Sequence, residues 1–222
     1  MRRITWLLAA GLGCCAWAAP VRAQMGMKGP DIQGVFHPVV GAGAEYAVEM
    51  QGQPKSSMEL SIVGKEQVNG KDGYWLEMGM ANPHMGGMMY MKMLYVVDNG
   101  TVVVSRMLMQ MPNGNVMEMP VQGAQKRPPQ SADITREMER VGNETLTTPA
   151  GTFSCVRWRK KDGSSDIWLS EKVVPWGFAK LVSKNTTMTL QRLITDAKTH
   201  ITGTPTKFDP MKMMGQRPQQ EP

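Results

Sequence analysis

The chain has 222 residues, 25 of them basic and 19 acidic, for a formal charge of +6. Arg2, Arg3 and Arg22 lie in an N-terminal leader that holds no acidic residue, so the remainder balances at +3, too little for a nucleic-acid footprint. That remainder, about 200 residues, is long enough for one domain with a real core, and three cysteines are too few for a disulfide framework.

Residues 1–23 read as a secretory signal. Arg2 and Arg3 form the positive start, Ile4 to Ala19 the apolar stretch, and Val21-Arg22-Ala23 the small-residue cleavage site before Gln24. The stretch is too short for a lasting membrane span. Gly11 stands where a lipobox carries Leu, which disfavours lipidation at Cys14, and Cys15 fits no better. The expected location is the periplasm or the outer-membrane periphery. A charge of +3 is compatible with peripheral contact to an anionic membrane. Cys155 is then the one remaining thiol, read as a buried strand residue with no disulfide partner.

Residues 24–40 are Gly- and Pro-rich and read as a flexible lead-in. From residue 41 to 202 the texture is that of a single antiparallel β domain. Short runs rich in Val, Ile, Thr, Tyr and Trp are punctuated by Gly, Asn, Asp and Pro. The pattern predicts strands over Ala44–Met50, Met58–Gln67, Tyr74–Met80, Met88–Val97, Val102–Met111 and Val116–Val121. Further strands are predicted over Glu144–Thr148, Thr152–Lys160, Ser165–Leu169, Phe178–Ser183 and Thr187–Thr195. Asn69-Gly70, Asp98-Asn99-Gly100, Pro112-Asn113-Gly114, Pro149-Ala150-Gly151 and Asp162-Gly163 supply turns. One short helix is predicted, Ser131–Arg140. Residues 203–222 are rich in Pro, Gln and Met and read as a disordered tail. So many short strands in one sheet must curl or close. The expected fold is all-β: a curled antiparallel meander, half-barrel or open barrel, with at most one short helix.

Methionine dominates the composition, at 22 residues, and about half of them fall in Met78–Met119. Thioether side chains adapt to irregular apolar partners and also ligate soft metals such as Cu(I). They fill cores too, but specify packing poorly there. The hairpin Met88–Val97 with Val102–Met111 allows two registers. A two-residue Asn99-Gly100 turn sets Leu94 opposite Ser105 and divides the methionines between both faces. A three-residue loop sets Met91 opposite Met107 and Met89 opposite Met109. The second register gathers Met89, Met91, Met93, Met107, Met109 and Met111 on one face and sends Lys92 and Arg106 to the other. It is preferred because burying a methionine gains about 1.5–3 kcal/mol. Setting Lys92 against Arg106 loses only about 0.2–1 kcal/mol. Met78 and Met80 extend the face, as do Leu76, Met117 and Met119, with Tyr90, Tyr95 and Trp75 expected beside it.

Two site readings follow. In the first, Met78, Met80, Met89, Met91, Met93, Met107, Met109, Met111 and Tyr95 line a concave face for a hydrophobic small molecule or acyl chain. In the alternative, His84, Met85, Met88, Met89 and Met91 hold Cu(I) or Ag(I). A third reading makes these methionines the core of a structural or interaction protein of the envelope. No nucleophile elbow, zinc-protease, phosphate-loop or dinucleotide motif occurs, so neither enzyme activity nor a cofactor is expected.

Two segments carry a resemblance. One runs from Gly41-Ala-Gly-Ala-Glu-Tyr46 through Val63-Gly-Lys-Glu66 to Tyr74-Trp-Leu-Glu77. The other comprises Glu144-Thr-Leu-Thr-Thr-Pro-Ala-Gly-Thr-Phe153-Ser-Cys155, Asp166-Ile-Trp-Leu-Ser170 and Val174-Pro-Trp-Gly177. Over roughly residues 41–195 the chain resembles exported bacterial proteins of unknown function with the texture of lipoprotein-carrier (LolA/LolB-like) half-barrels. The resemblance implies a twisted sheet curled around an apolar cavity able to take acyl chains. It implies no functional residue.

Overall fold

The computed structural model describes residues 36–82, 87–98, 101–121 and 138–208. The leader, most of the lead-in, residues 131–137 of the expected helix, His84, Met85 and residues 209–222 lie outside them.

Among the described residues twelve strands form one sheet: β1 (Gly43–Met50), β2 (Ser56–Val68), β3 (Lys71–Asn82), β4 (Gly87–Asp98), β5 (Thr101–Gln110), β6 (Val116–Met119), β7 (Met138–Thr148), β8 (Gly151–Lys160), β9 (Ser165–Leu169), β10 (Phe178–Ser183), β11 (Thr186–Ile194) and β12 (Thr206–Lys207). Their order is β12-β6-β5-β4-β3-β2-β1-β11-β10-β9-β8-β7. Among the described residues β12 and β7 are free edges, so the sheet is open. It is also strongly curled, as twist accumulated over many strands requires. One apolar cluster joins Met91 and Met93 of β4 to Phe153 of β8 and Leu190 of β11. The all-β, open and curled architecture is the expected one.

Local chemistry sets the strand ends. Asn69 (φ 51°) and Gly70 (φ 78°) are both left-handed and link the paired Val68 and Lys71 in the tight turn such residues favour. Gly43 permits the close approach of β1 to β2, since a Cβ there would lie 2.3 Å from Ser61 Oγ.

The central hairpin adopts neither expected register. Asp98 pairs with Thr101, leaving two residues between, so the connection is the shorter one. A bulge then displaces the ladder between Leu94 and Tyr95: Tyr95 pairs with Val104, but Leu94 pairs with Arg106. Ser105 is the extra residue, and its hydroxyl is buried without a partner. Beyond the bulge Met93 faces Met107 and Met91 faces Met109, in place of the expected Met91–Met107 and Met89–Met109 pairs. The gathering of Met91, Met93, Met107 and Met109 on one face survives by this different device. It also avoids opposing Lys92 to Arg106, because Lys92 pairs with Leu108.

Three further expectations are corrected. Met138, Glu139 and Arg140, read as the end of a helix, open β7 and pair with Lys160, Arg159 and Trp158. Met138 is buried there, whereas the charged neighbours stay exposed. The lead-in is not loose at its end. Phe36 packs 4.6 Å from Trp176, 5.6 Å from Tyr95 and 6.4 Å from Tyr74, and His37 N–H donates to Pro175 O at 2.8 Å. Burying an aromatic ring against three others overrides the Gly/Pro composition. The first residues of the expected tail are ordered: Thr206 and Lys207 pair in parallel with Met117 and Glu118, and Phe208 N–H donates to Glu118 O.

A second, smaller core lies on the outer face of β3–β6. It joins Trp75, Leu94, Val96, Leu108 and Val116 to Ile201, which arrives on the segment after β11. Buried Glu77, 3% exposed, staples that segment down. Its carboxylate accepts from Thr199 Oγ1 (2.5 Å), from the His200 backbone N–H (2.8 Å) and from His200 Nδ1 (2.9 Å). Lys92 Nζ donates to Thr199 Oγ1 at 3.1 Å, and the His200 ring stacks on Tyr90 at 4.4 Å.

Candidate functional site

Alternation puts every second side chain of a strand on one face, and the ladders make this explicit across β2–β6. Met58 faces Met80, and Met80 faces Met89. Met78 faces Met91, Met91 faces Met109, and Met109 faces Met117. Leu76 faces Met93, Met93 faces Met107, and Met107 faces Met119. Ten methionines from five strands therefore share the inner face. The same pairings send Glu59, Glu77, Lys92, Arg106 and Glu118 to the outer face.

Within the face exposure is graded. Met91 and Met93 are buried, at 5% and 7% exposed, while Met58, Met78, Met107 and Met109 are half-buried and pack against the core. Met80, Met89, Met117 and Met119 are also half-buried. One end of the face is closed by the aromatic group of Phe36, Tyr74, Tyr95 and Trp176. Tyr95 belongs to this group, and its hydroxyl donates to Met93 Sδ at 3.6 Å. Met111 follows β5 and is half-buried.

The structure thus brings Met78, Met80, Met89, Met91, Met93, Met107, Met109 and Tyr95 onto one surface. Two expected neighbours are not there. Trp75 and Tyr90 lie on the outer face, Trp75 between Lys92 Nζ (5.1 Å) and Arg106 (5.5 Å), with its Nε1–H donating to Glu66. The along-strand metal set is also broken. Met88 pairs with Ala81 on the opposite face from Met89 and Met91 and is 37% exposed. Sequence reasoning missed Met58, Phe36 and Trp176. Met58 has the even spacing of Leu60 and Ile62, which signals its face; Phe36 and Trp176 come from irregular segments that carry no such period.

Electrostatic features lie elsewhere. Burial pulls the Lys92 ammonium below its ordinary range, against Glu77 and Glu66, which push it up. Trp168, flanked by Arg157 (4.8 Å) and Lys180 (5.5 Å), donates to Glu144 at 2.7 Å. That bond, together with one from Arg157, holds the Glu144 carboxyl below the usual range. Burial, with help from Glu144, pushes the Cys155 thiol up, which suits an inert core residue. Glu77 and His200 are adjacent, but the carboxylate also takes a backbone N–H, so the group holds chain in place. Among the described residues no three His, Cys, Asp or Glu side chains cluster as a metal site. A hollow beside Met50 and Ser183–Thr187 is polar and apart from the methionine face.

No protein-family model matches the chain, and no curated protein matches it. Solved structures do show likeness. A candidate lipoprotein of Parabacteroides distasonis is 15% identical, with a TM-score of 0.40 over 73% of this chain and 99% of that one. A candidate exported protein of Bacteroides fragilis with a YmcC-like fold is 12% identical, with a TM-score of 0.40 over the same shares. A chain of the Pseudomonas aeruginosa MucA/MucB complex is 10% identical, with a TM-score of 0.43 over 71% of this chain and 52% of that one. None of the three is described as a LolA/LolB-like carrier.

Proposed function

We propose that this is an exported, non-catalytic binding protein that takes an apolar ligand, a lipid or acyl chain, on the inner methionine face of β2–β6. The observation that carries the reading is the shared face of ten methionines. Eight of them are half-buried, and the charges interleaved with them, Glu59, Glu77, Lys92, Arg106 and Glu118, point the other way. Thioether side chains re-pack around varied apolar shapes, and desolvation of the ligand supplies the driving force. The leader at residues 1–23 supports export to the periplasm or outer-membrane periphery.

Native mass spectrometry of the protein purified from its export compartment tests this reading. An adduct that extracts into organic solvent is expected. It should persist when Met89, Met91, Met107 and Met109 become Leu and disappear in Met109→Glu. A bare mass, with no uptake of added fatty acid, would instead make the face ordinary core and leave an envelope structural or interaction role.

A further inference from the structure

One rung of the sheet differs from the others. Met78, Met91, Met109 and Met117 stand directly opposite one another on four adjacent strands, β3 to β6. The neighbouring rungs are shorter, with three methionines each: Met93, Met107 and Met119 beside Leu76, and Met58, Met80 and Met89. Directly opposed side chains have Cβ atoms about 4.5–5.5 Å apart. A methionine can swing its sulfur toward either neighbour, so three consecutive thioethers can close on one point above the middle strand. Met91 and Met109 belong to both triplets that this rung offers. Met91 is buried, whereas Met78, Met109 and Met117 are half-buried, so the rung joins the core to partly exposed thioethers.

We infer that this rung binds one soft monovalent cation, Cu(I) or Ag(I), through three thioethers that include Met91 and Met109. Thioethers are the soft donors that select such ions. They are neutral, and the carboxylates nearest the rung in sequence, Glu77 and Glu118, lie on the other face. A divalent ion would therefore face a far larger uncompensated desolvation penalty than a monovalent one. This set runs across strands, which is why the Met88-Met89-Tyr90-Met91 run in the sequence does not reveal it. The site shares the proposed ligand face but does not require that an apolar ligand bind.

Isothermal titration with Ag(I), together with native mass spectrometry, tests the site on the exported protein in a Cys155→Ala background that removes thiol binding. One Ag(I) per chain is expected. Affinity should fall at least tenfold in Met91→Leu/Met109→Leu and stay within twofold in Met80→Leu/Met89→Leu. Excess Zn(II) should not compete. Leucine keeps the volume and apolarity, so fatty-acid uptake by the same variants should persist. Loss of Ag(I) with fatty acid retained supports the site. No Ag(I) uptake, or equal affinity in both double variants, overturns it. Ag(I) uptake with no fatty-acid binding in any variant would leave the site standing and overturn the ligand reading alone. If Cys155→Ala fails to fold, the same comparison in the unaltered background, with the thiol blocked by alkylation under denaturant and refolding, carries the test.

Discussion

The two faces of β2–β5 are built by opposite strategies. The outer face is fixed by directional contacts: a buried Glu77 with three donors, an indole between two cations, a histidine stacked on Tyr90. The inner face carries thioethers, whose packing is adaptable and weakly directional. Hydrogen-bonded networks specify one arrangement and are costly when incomplete. A flexible apolar face tolerates exchange. The contrast teaches that the directional contacts of these strands sit on the outer face and the adaptable side chains on the inner one.

Breaking the outer face should have the largest effect. Glu77→Ala strands the Thr199 and His200 donors and leaves Lys92 without its nearest carboxylate. A loss of about 3–5 kcal/mol is expected in urea unfolding, with early hydrogen exchange over residues 196–203. On the inner face Met91→Ala should lose about 2–4 kcal/mol, because the buried site leaves a cavity. Met117→Ala, half-buried near the sheet edge, should lose under about 1 kcal/mol. Lys92→Met, which removes one cation from Trp75, should lose about 1 kcal/mol; its effect should shrink little in high salt because Lys92 is partly buried. The smallest effect is expected for Tyr46→Phe. The Tyr46 hydroxyl is buried without a partner and burial pushes its ionisation up. Its removal should be neutral or stabilising, by up to about 1 kcal/mol.

Much of the sheet was legible because alternation survives in most strands. Which residues share the methionine face followed from parity alone. The Ser105 bulge did not, although the sequence holds its trace. Val102 and Val104 are even-numbered, Met107 and Met109 odd, so one extra residue must fall between them to keep all four on one side. The positions of Trp75 and Tyr90 were misjudged because their aromatic character suggested the apolar face. Their outer neighbours Lys92, Arg106 and His200 come from three separate parts of the chain. The Glu77 staple was not legible: its partners lie more than 120 residues away and follow no period.

The most direct test of the methionine face is NMR of the exported protein with ¹³C-methyl methionine, titrated with a single-chain fatty acid. The account predicts concerted shifts of the Met78, Met80, Met89, Met109 and Met117 methyl signals, while Met88, which lies on the outer face, stays unmoved. Unchanged face signals at saturating fatty acid, or shifts confined to Met88, would contradict it.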